Sequence, residues 1–288
     1  MNRSLPRRLG ALTTALALAG TLFAPGVAAA DPADPAGAAS VAPEAAADGS
    51  PSTRSAAAAR DVEVRSLDFA CPRDRTPSAG FRDSEGVYGR AIDCLVWYGI
   101  TEGRTPNAFD PNRTVNRREM AIFLHRLLVS LDAPLPEYDG NSRFRDVPDT
   151  GFGSAEINVL ASPEVEELLG RVVVAGRPDG TFDSPTPVSR EQMASFIART
   201  FEGIIFASDL ELIPGFCSPA CFPDSNAVSP PHRPNVDLLF QAGIVTGRAD
   251  GTYGPRASVN RGQMALFLTR MIDFFAEPFP EIVPDARR

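Results

Sequence analysis

The chain has 288 residues, with 28 basic against 36 acidic side chains and a net charge of −8, and every basic side chain other than its two histidines is an arginine. That balance argues against nucleic acid as a partner, because neutralising phosphates takes a basic surface. A hydrophobic fraction of 43% suffices for a core of one or two ordinary domains, while the two histidines and the absence of lysine thin out simple acid–base and Schiff-base catalysis.

Residues 1–30 read as a secretory signal. Arg3, Arg7 and Arg8 precede an uncharged apolar stretch from Leu9 to Val27, and Ala28-Ala29-Ala30 fits a small-x-small cleavage site. Removing this segment takes away three arginines and no acid, leaving 25 basic against 36 acidic residues, a net of −11. No second apolar run is long enough to span a bilayer, so the expectation is a secreted mature chain without a transmembrane segment. Residues 31–62 are rich in Ala, Pro, Asp, Ser and Gly with no helical or strand period, as expected of a disordered linker.

Four cysteines in an exported chain point to disulfides and allow three pairings. Cys217 and Cys221, separated by Ser-Pro-Ala, are expected to close a small ring, and Cys71 with Cys94 to tie the domain's entry strand to its first helix. A four-cysteine zinc site competes with this reading, but neither spacing forms the paired C-x-x-C knuckles of such sites. No metal or other cofactor is expected.

An internal repeat organises the remainder. Aligned on Gly103, Gly176 and Gly247, the chain runs in one register through Phe109, Phe182 and Tyr253 and then Val115, Val188 and Val259. The motifs Asn116-Arg117-Arg118-Glu119-Met120-Ala121, Ser189-Arg190-Glu191-Gln192-Met193-Ala194 and Asn260-Arg261-Gly262-Gln263-Met264-Ala265 follow. Self-similarity at a fixed period means supersecondary units that bury a face against one another. In each copy an N-cap residue stands three positions before Glu119, Gln192 or Gln263, the capping-box spacing, so a helix begins at Arg117, Arg190 and Arg261. Upstream, Ile92-Leu95-Val96, Val165-Leu168-Leu169 and Val236-Leu239-Phe240 form the stripe of a first helix, with Ser162-Pro163 and Pro234 marking two of its starts. On this alignment copy two carries about ten extra residues before Val165. A Phe-x-Asp element (Phe81 to Asp83, Phe144 to Asp146, Phe222 to Asp224) opens each unit. The expected fold class is all-α, with three tandem helix-loop-helix repeats over residues 63–140, 141–210 and 211–288.

From about Phe81 to Phe275, these signals in triplicate resemble tandem S-layer homology repeats. The carriers are Phe-x-Asp, Gly-Ile-x-x-Gly (Gly99 to Gly103, Gly243 to Gly247), the turn, and Val-Asn/Ser-Arg-x-Glu/Gln-Met-Ala. Copy two departs at Arg171-Val172-Val173, where the first glycine of Gly-Ile-x-x-Gly is expected. The resemblance implies a pseudo-threefold spindle that attaches exported proteins to an acidic, often pyruvylated, cell-wall polysaccharide. It carries the groove motif onto Arg117, Arg190 and Arg261 with Glu119, Gln192 and Gln263. Arg118 and Glu191 stand where a small residue is expected, Glu191 opposing an acidic ligand, and the Gly262 copy lies closest to the pattern. The all-arginine usage and the Cys71, Cys94 pair look like the actinobacterial branch of that family.

The chemistry of the motif suggests how an anion would be held. A helix N-terminus offers free N–H groups, and an arginine in the first turn adds a planar, always-charged fork. The competing expectation is that each arginine pairs with Asp83, Asp146 or Asp224 of a neighbouring repeat. Gly103, Gly176 and Gly247 are expected at turns needing positive φ, with close approach by a sugar ring as a second role. Trp97 and Tyr98 are expected to close the first helix, His125 to lie exposed on the second, and His232 to sit in a loop before Pro234. Gly151-Phe152-Gly153-Ser154 is no nucleophile elbow, and Asp179 and Asp250 are expected in plain turns rather than calcium loops. Three function classes follow: a non-catalytic wall-binding protein, a structural or protein-interaction module with a surface-protein partner, and a glycan hydrolase using acids such as Asp83, Glu119 and Asp146.

Overall fold

In a computed structural model that describes residues 15–17, 67–213, 217, 220–280 and 283, three buried valines, one from each repeat, meet at the centre. The Val115 amide donates to the Val259 carbonyl at 2.9 Å, Val188 to Val115 at 3.0 Å, and Val259 to Val188 at 3.0 Å. Each repeat thus donates to one neighbour and accepts from the other, and the ring closes with no unsatisfied backbone group at its centre. Short antiparallel bridges (Thr114 with Asn260, Asn116 with Pro187, Ser189 with Ser258) flank the triangle.

Seven α-helices surround it among the described residues: α1 Gly89–Trp97, α2 Arg117–Ser130, α3 Ser154–Leu160, α4 Pro163–Leu169, α5 Arg190–Ala207, α6 Arg233–Gln241 and α7 Arg261–Ala276. The long helices α2, α5 and α7 each open on a complete capping box, built from Asn116 with Glu119, Ser189 with Gln192, and Asn260 with Gln263. The first helix of each repeat packs on the long helix of the repeat before it: α1 on α7, α3 on α2, and α6 on α5. This is cyclic, so no repeat can bury its apolar stripe alone. The fold is all-α apart from two three-residue strands, β1 Ala15–Ala17 and β2 Glu211–Ile213, which pair in parallel. Otherwise the expected signal segment and linker lie outside the described residues.

The second repeat corrects the helix alignment. Its first helix is α3, which ends at Leu160, and not the segment beginning at Pro163. The Val174 amide donates to the Leu160 carbonyl as Thr101 does to Leu95 and Val245 to Leu239, which makes Leu160 the counterpart of Leu95 and Leu239. The extra residues therefore fall after the first helix, between Leu160 and Val173. They form α4, which is correctly started by its Ser162 cap and Pro163, and α4 lies along α5. Gly203 admits Leu169, the ring of Phe206 covers Gly170, and Arg171 pairs with Glu202. The stripe in Val165-Leu168-Leu169 is real, but it belongs to an insertion.

Both expected disulfides are present, Cys71–Cys94 and Cys217–Cys221. The first belongs to a wider anchorage. Asp273, buried on α7, accepts from the Phe69 and Ala70 amides, and Arg90 on α1 donates to the Leu67 and Cys71 carbonyls. The Tyr98 hydroxyl donates to the Ala70 carbonyl. The segment it secures is a turn, not a strand. Because the bond closes a loop with a sequence separation of 23 residues, replacing Cys71 and Cys94 together by Ala is expected to remove about 3 kcal/mol of stability, read as a lower urea midpoint. An unchanged midpoint would mean that Asp273 and Arg90 hold the segment unaided.

Candidate functional site

The residues that recur in triplicate converge on one interface, built three times. In each repeat the Gly turn carries an aromatic, Phe109, Phe182 or Tyr253, that is completely buried and packs on the Phe-x-Asp ring of its own repeat, with centroids 6.1, 5.3 and 5.2 Å apart. Gly103, Gly176 and Gly247 permit this contact. A Cβ would stand 2.5 Å from ring atoms of Phe81 at Gly103 and of Phe144 at Gly176, and 3.2 Å from Phe222 at Gly247. Of the three, Gly103 alone has a positive φ, so close approach of a ring, rather than left-handed backbone, explains the recurrence. The ring is the protein's own.

The aspartate of each Phe-x-Asp element then holds the turn by its amides. Asp83 accepts from Phe109 and Asp110 at 2.8 and 2.7 Å, Asp146 from Phe182 and Asp183 at 2.7 and 2.6 Å, and Asp224 from Tyr253 and Gly254 at 2.7 and 2.8 Å. The arginine of the preceding repeat holds the same turn by its carbonyls. Arg117 donates Nε to Phe182 at 2.6 Å and Nη2 to Ala175 at 3.1 Å; Arg190 does the same to Tyr253 at 2.8 Å and Thr246 at 3.0 Å; Arg261 donates Nε to Phe109 at 2.8 Å. Each guanidinium also lies 4.5–4.7 Å from the centroid of the turn aromatic, and 5.3–5.7 Å from that of a phenylalanine on the long helix of the same neighbour. Thus the arginines do not pair directly with Asp83, Asp146 and Asp224; the aspartate takes the N–H groups of a turn and the arginine its C=O groups. Burial pulls Arg117, Arg190 and Arg261 below the ordinary guanidinium pKa, opposed by nearby acids such as Asp146, Asp224 and Glu119. The planar fork stays charged because carbonyl dipoles and π faces replace its water.

The helix N-termini are not free to hold an anion. In α2 the Arg117 and Arg118 amides donate to Thr186 and Ser184, in α5 Arg190 and Glu191 donate to Ala257 and Pro255, and in α7 Arg261 and Gly262 donate to Arg113 and Pro111. The capping box takes the next amide in each case, so the donors that ordinarily make a helix start an anion site are consumed by the neighbouring repeat. That overturns free N–H groups as the basis of recognition. What remains is on the arginines. Nη1 of Arg117 and Arg190 and both terminal nitrogens of Arg261 donate to nothing among the described residues, and none is a fully buried unsatisfied atom, so they keep access to solvent.

The three interfaces also differ at the residue after the clamping arginine, which meets the start of the first helix packed beside it. Gly262 faces Tyr88, whose ring occupies the space a side chain would need. Arg118 lies along Gly153, where a Cβ would come within 2.6 Å of its Cγ. Glu191 accepts from the amide and hydroxyl of Ser229 at 2.8 and 3.1 Å, and beside it the His232 Nδ1 is 2.7 Å from the Ser195 hydroxyl, which also accepts from Asn235. His232 is thus a helix N-cap with a serine neighbour, contacts made from 37 residues away that sequence proximity could not reveal. Burial lowers its pKa, while Glu191 acts in the opposite sense. Aligning the N-caps with the residue after the arginine was the signal available in the repeat.

The other expectations resolve simply. Tyr98 is buried and Trp97 meets it edge-on. His125 is half-buried on α2 rather than exposed, and burial lowers its pKa. Asp179 and Asp250 accept from the amides and hydroxyls of Thr181 and Thr252 in tight turns, and no cluster of metal-ligating side chains occurs among the described residues. Asp83, Asp146 and Glu119 spend their oxygens on backbone amides and, for Glu119, on Arg113 as well, which suits architecture rather than proton transfer.

The geometry has consequences for stability. Arg190→Ala leaves the Tyr253 and Thr246 carbonyls without their charged donor, and is expected to cost about 3 kcal/mol, read as a fall in melting temperature. An unchanged melting temperature would contradict the clamp. At Asp83, desolvation raises the pKa, but hydrogen bonds from the Phe109 and Asp110 amides and the nearby Arg261 outweigh it and hold it below the ordinary carboxylate value. A carboxylate with a depressed folded pKa stabilises the fold fully above its unfolded pKa of about 4 and progressively less as pH falls through the folded value. Chemical denaturation between pH 5 and pH 2 should therefore show falling stability, with part of the slope lost in Asp83→Asn. An identical slope in the variant would mean that Asp83 has no part in it.

Comparison with known proteins agrees with this architecture. The S-layer homology domain family matches residues 80–121, 158–194 and 222–265, one segment in each repeat, so the chain is a protein of three tandem S-layer homology repeats, modules that associate with the cell wall. It is 24% identical over 63% of its length to an amylopullulanase of Thermoanaerobacterium thermosulfurigenes, and 21% identical over 68% to exoglucanase XynX of Acetivibrio thermocellus. The matched region spans 9% and 16% of those two proteins. No helix among the described residues is long and apolar enough to cross a membrane.

Proposed function

We propose that this protein of three S-layer homology repeats is a secreted, non-catalytic module that binds an acidic secondary polysaccharide of the cell wall and thereby holds itself or a surface-protein partner at the cell surface. The observation that supports this most strongly is the threefold recurrence of an arginine fixed by a neighbour's carbonyls with donor capacity left over. A guanidinium immobilised in this way loses little side-chain entropy on meeting a carboxylate, and its remaining nitrogens supply charge-assisted hydrogen bonds. On a chain of net charge −8 these are local positive points, suited to an anion presented repeatedly along a polymer. Three sites on one body also favour a polymer over a small ligand, because the second and third contacts form at high effective concentration.

A non-catalytic role accords with the commitments of the acids, since each carboxylate oxygen of Asp83 and Asp146 already accepts an amide of the turn. Gly103, Gly176 and Gly247, and Glu119, Gln192 and Gln263, then serve the ligand indirectly, by shaping the turn and by capping the helix that carries each arginine.

The test is co-sedimentation with purified wall sacculi from the source organism, before and after chemical removal of the secondary polysaccharide, across a salt series. Binding should weaken with salt and vanish with the polymer. Failure to sediment with intact sacculi would exclude the anchoring role, and release of reducing ends would exclude the non-catalytic one.

A further inference from the structure

Substitution along one seam gives the packing of α6 on α5 a chemistry that the other two helix pairs lack. The residue six places after the N-cap of the long helix is Ile122 on α2 and Leu266 on α7, but Ser195 on α5. The first helices have Tyr88 and Gly153 as N-caps on α1 and α3, but His232 on α6. Three places on stand Ala91 and Glu156, but Asn235 on α6. The exchanged residues find one another. The buried Ser195 hydroxyl lies 2.7 Å from His232 Nδ1, receives Asn235 Nδ2 at 2.8 Å, and has the Glu191 carbonyl at 3.5 Å.

A hydroxyl carries one proton, and this one has two takers. The Nδ1 lone pair is much nearer than the carbonyl, so Ser195 donates to Nδ1 while accepting from Asn235. That arrangement requires a neutral imidazole with its proton on Nε2. Protonation puts a hydrogen on Nδ1; Ser195 must then accept from both neighbours and turn its own proton to the distant carbonyl. It also sets a cation at the N-cap of a nine-residue helix, where the dipole opposes it. Among the charged groups around the ring, Arg199 on α5 and Arg233, next in the chain on α6, disfavour a further cation. Glu191 on α5 and Asp237, farther along α6, favour it. Glu191 is engaged by the Ser229 amide and hydroxyl, and burial outweighs it, so His232 titrates below the ordinary histidine value.

We propose that His232, Ser195 and Asn235 form a pH-sensitive latch between the second and third repeats, closed while the imidazole is neutral and released when it takes up a proton. Because the repeats close a ring, weakening this seam lowers the stability of the whole molecule. The unfolded chain binds the proton more tightly than the folded one. The latch therefore contributes fully above the unfolded histidine pKa of about 6.5, and its contribution is lost as pH falls from there through the folded value. This response lies above the carboxylate range in which Asp83 titrates, so the two are separable. The latch stands independently of what the protein binds.

The experiment uses the full chain with its disulfides intact. Burial also depresses the pKa of His125, so the comparison starts from His125→Gln, in which His232 is the one histidine left. In that background, urea denaturation should show the folding equilibrium constant falling about fivefold between about pH 7.5 and pH 5.5. Adding His232→Gln should abolish the fall. An equal fall in the double variant would assign the dependence to other groups and overturn the latch. Long-range proton–nitrogen NMR of the wild type reads the imidazole directly, and decides the matter if either variant is unstable. His232 should carry its proton on Nε2 and titrate below the ordinary value. A proton on Nδ1 of the neutral ring, or titration at or above about 6.5, would overturn the proposal. In Ser195→Ala the His232 pKa should move upward, since the hydrogen bond that holds the ring neutral is gone. No movement would mean that burial alone tunes the ring and that the serine is no part of a latch.

Discussion

The fold rests on one interaction made three times: an arginine, buried at Arg190 and Arg261 and half-buried at Arg117, that reaches out of its own repeat to hold carbonyl groups of the next repeat's turn. An arginine in the first turn of a helix opposes the helix dipole, and burying it costs more again. Both costs are offset because the guanidinium finds carbonyl oxygens and two aromatic faces at fixed positions. The aspartate of the receiving repeat ties the amides of the same turn, so each turn is gripped from both sides. With the valine triangle, this makes the repeats mutually dependent. The chain is less three domains in a row than one closed ring, and its cooperativity should be that of a single unit rather than of an open solenoid.

The same clamp explains what can remain for a ligand. A terminus that lends its amides to a neighbour has none left for an anion, which shifts recognition from the backbone to the side chains. The arginine that secures the ring keeps nitrogens that the clamp does not use, and the residue that follows it differs from one interface to the next. Arg118, Glu191 and Gly262 occupy equivalent positions, yet one lies along Gly153, one is a carboxylate held by Ser229, and one is a glycine covered by the Tyr88 ring. Repetition supplies the scaffold, and departure from it makes the three interfaces chemically different.

Much of this was legible in the sequence. The capping boxes at Asn116, Ser189 and Asn260 announced the long helices, because a polar cap three residues before Glu or Gln has a local mechanism that survives any tertiary context. The disulfides followed from spacing and setting. The second repeat was misread because Val165-Leu168-Leu169 has a helical stripe as good as that of Ile157 and Leu160; periodicity shows that a helix exists and says nothing of which neighbour it meets. The glycines at 103, 176 and 247 were matched to turns, but a ring packed from twenty or more residues away dictates them, and such an approach leaves no local mark. The destination of the arginines was hidden for the same reason. Their recurrence flagged importance, while the carbonyls they hold belong to the backbone and carry no residue signature.

Native-state hydrogen exchange at the Val115, Val188 and Val259 amides tests the closed ring most directly, since each of these donors belongs to a different repeat and reports its opening separately. If the ring is one cooperative unit, the three amides should exchange with the same opening free energy, equal to that of global unfolding measured by denaturant. If one of them exchanges with a markedly lower free energy while the other two stay protected, that repeat opens by itself, and the ring does not hold the molecule together.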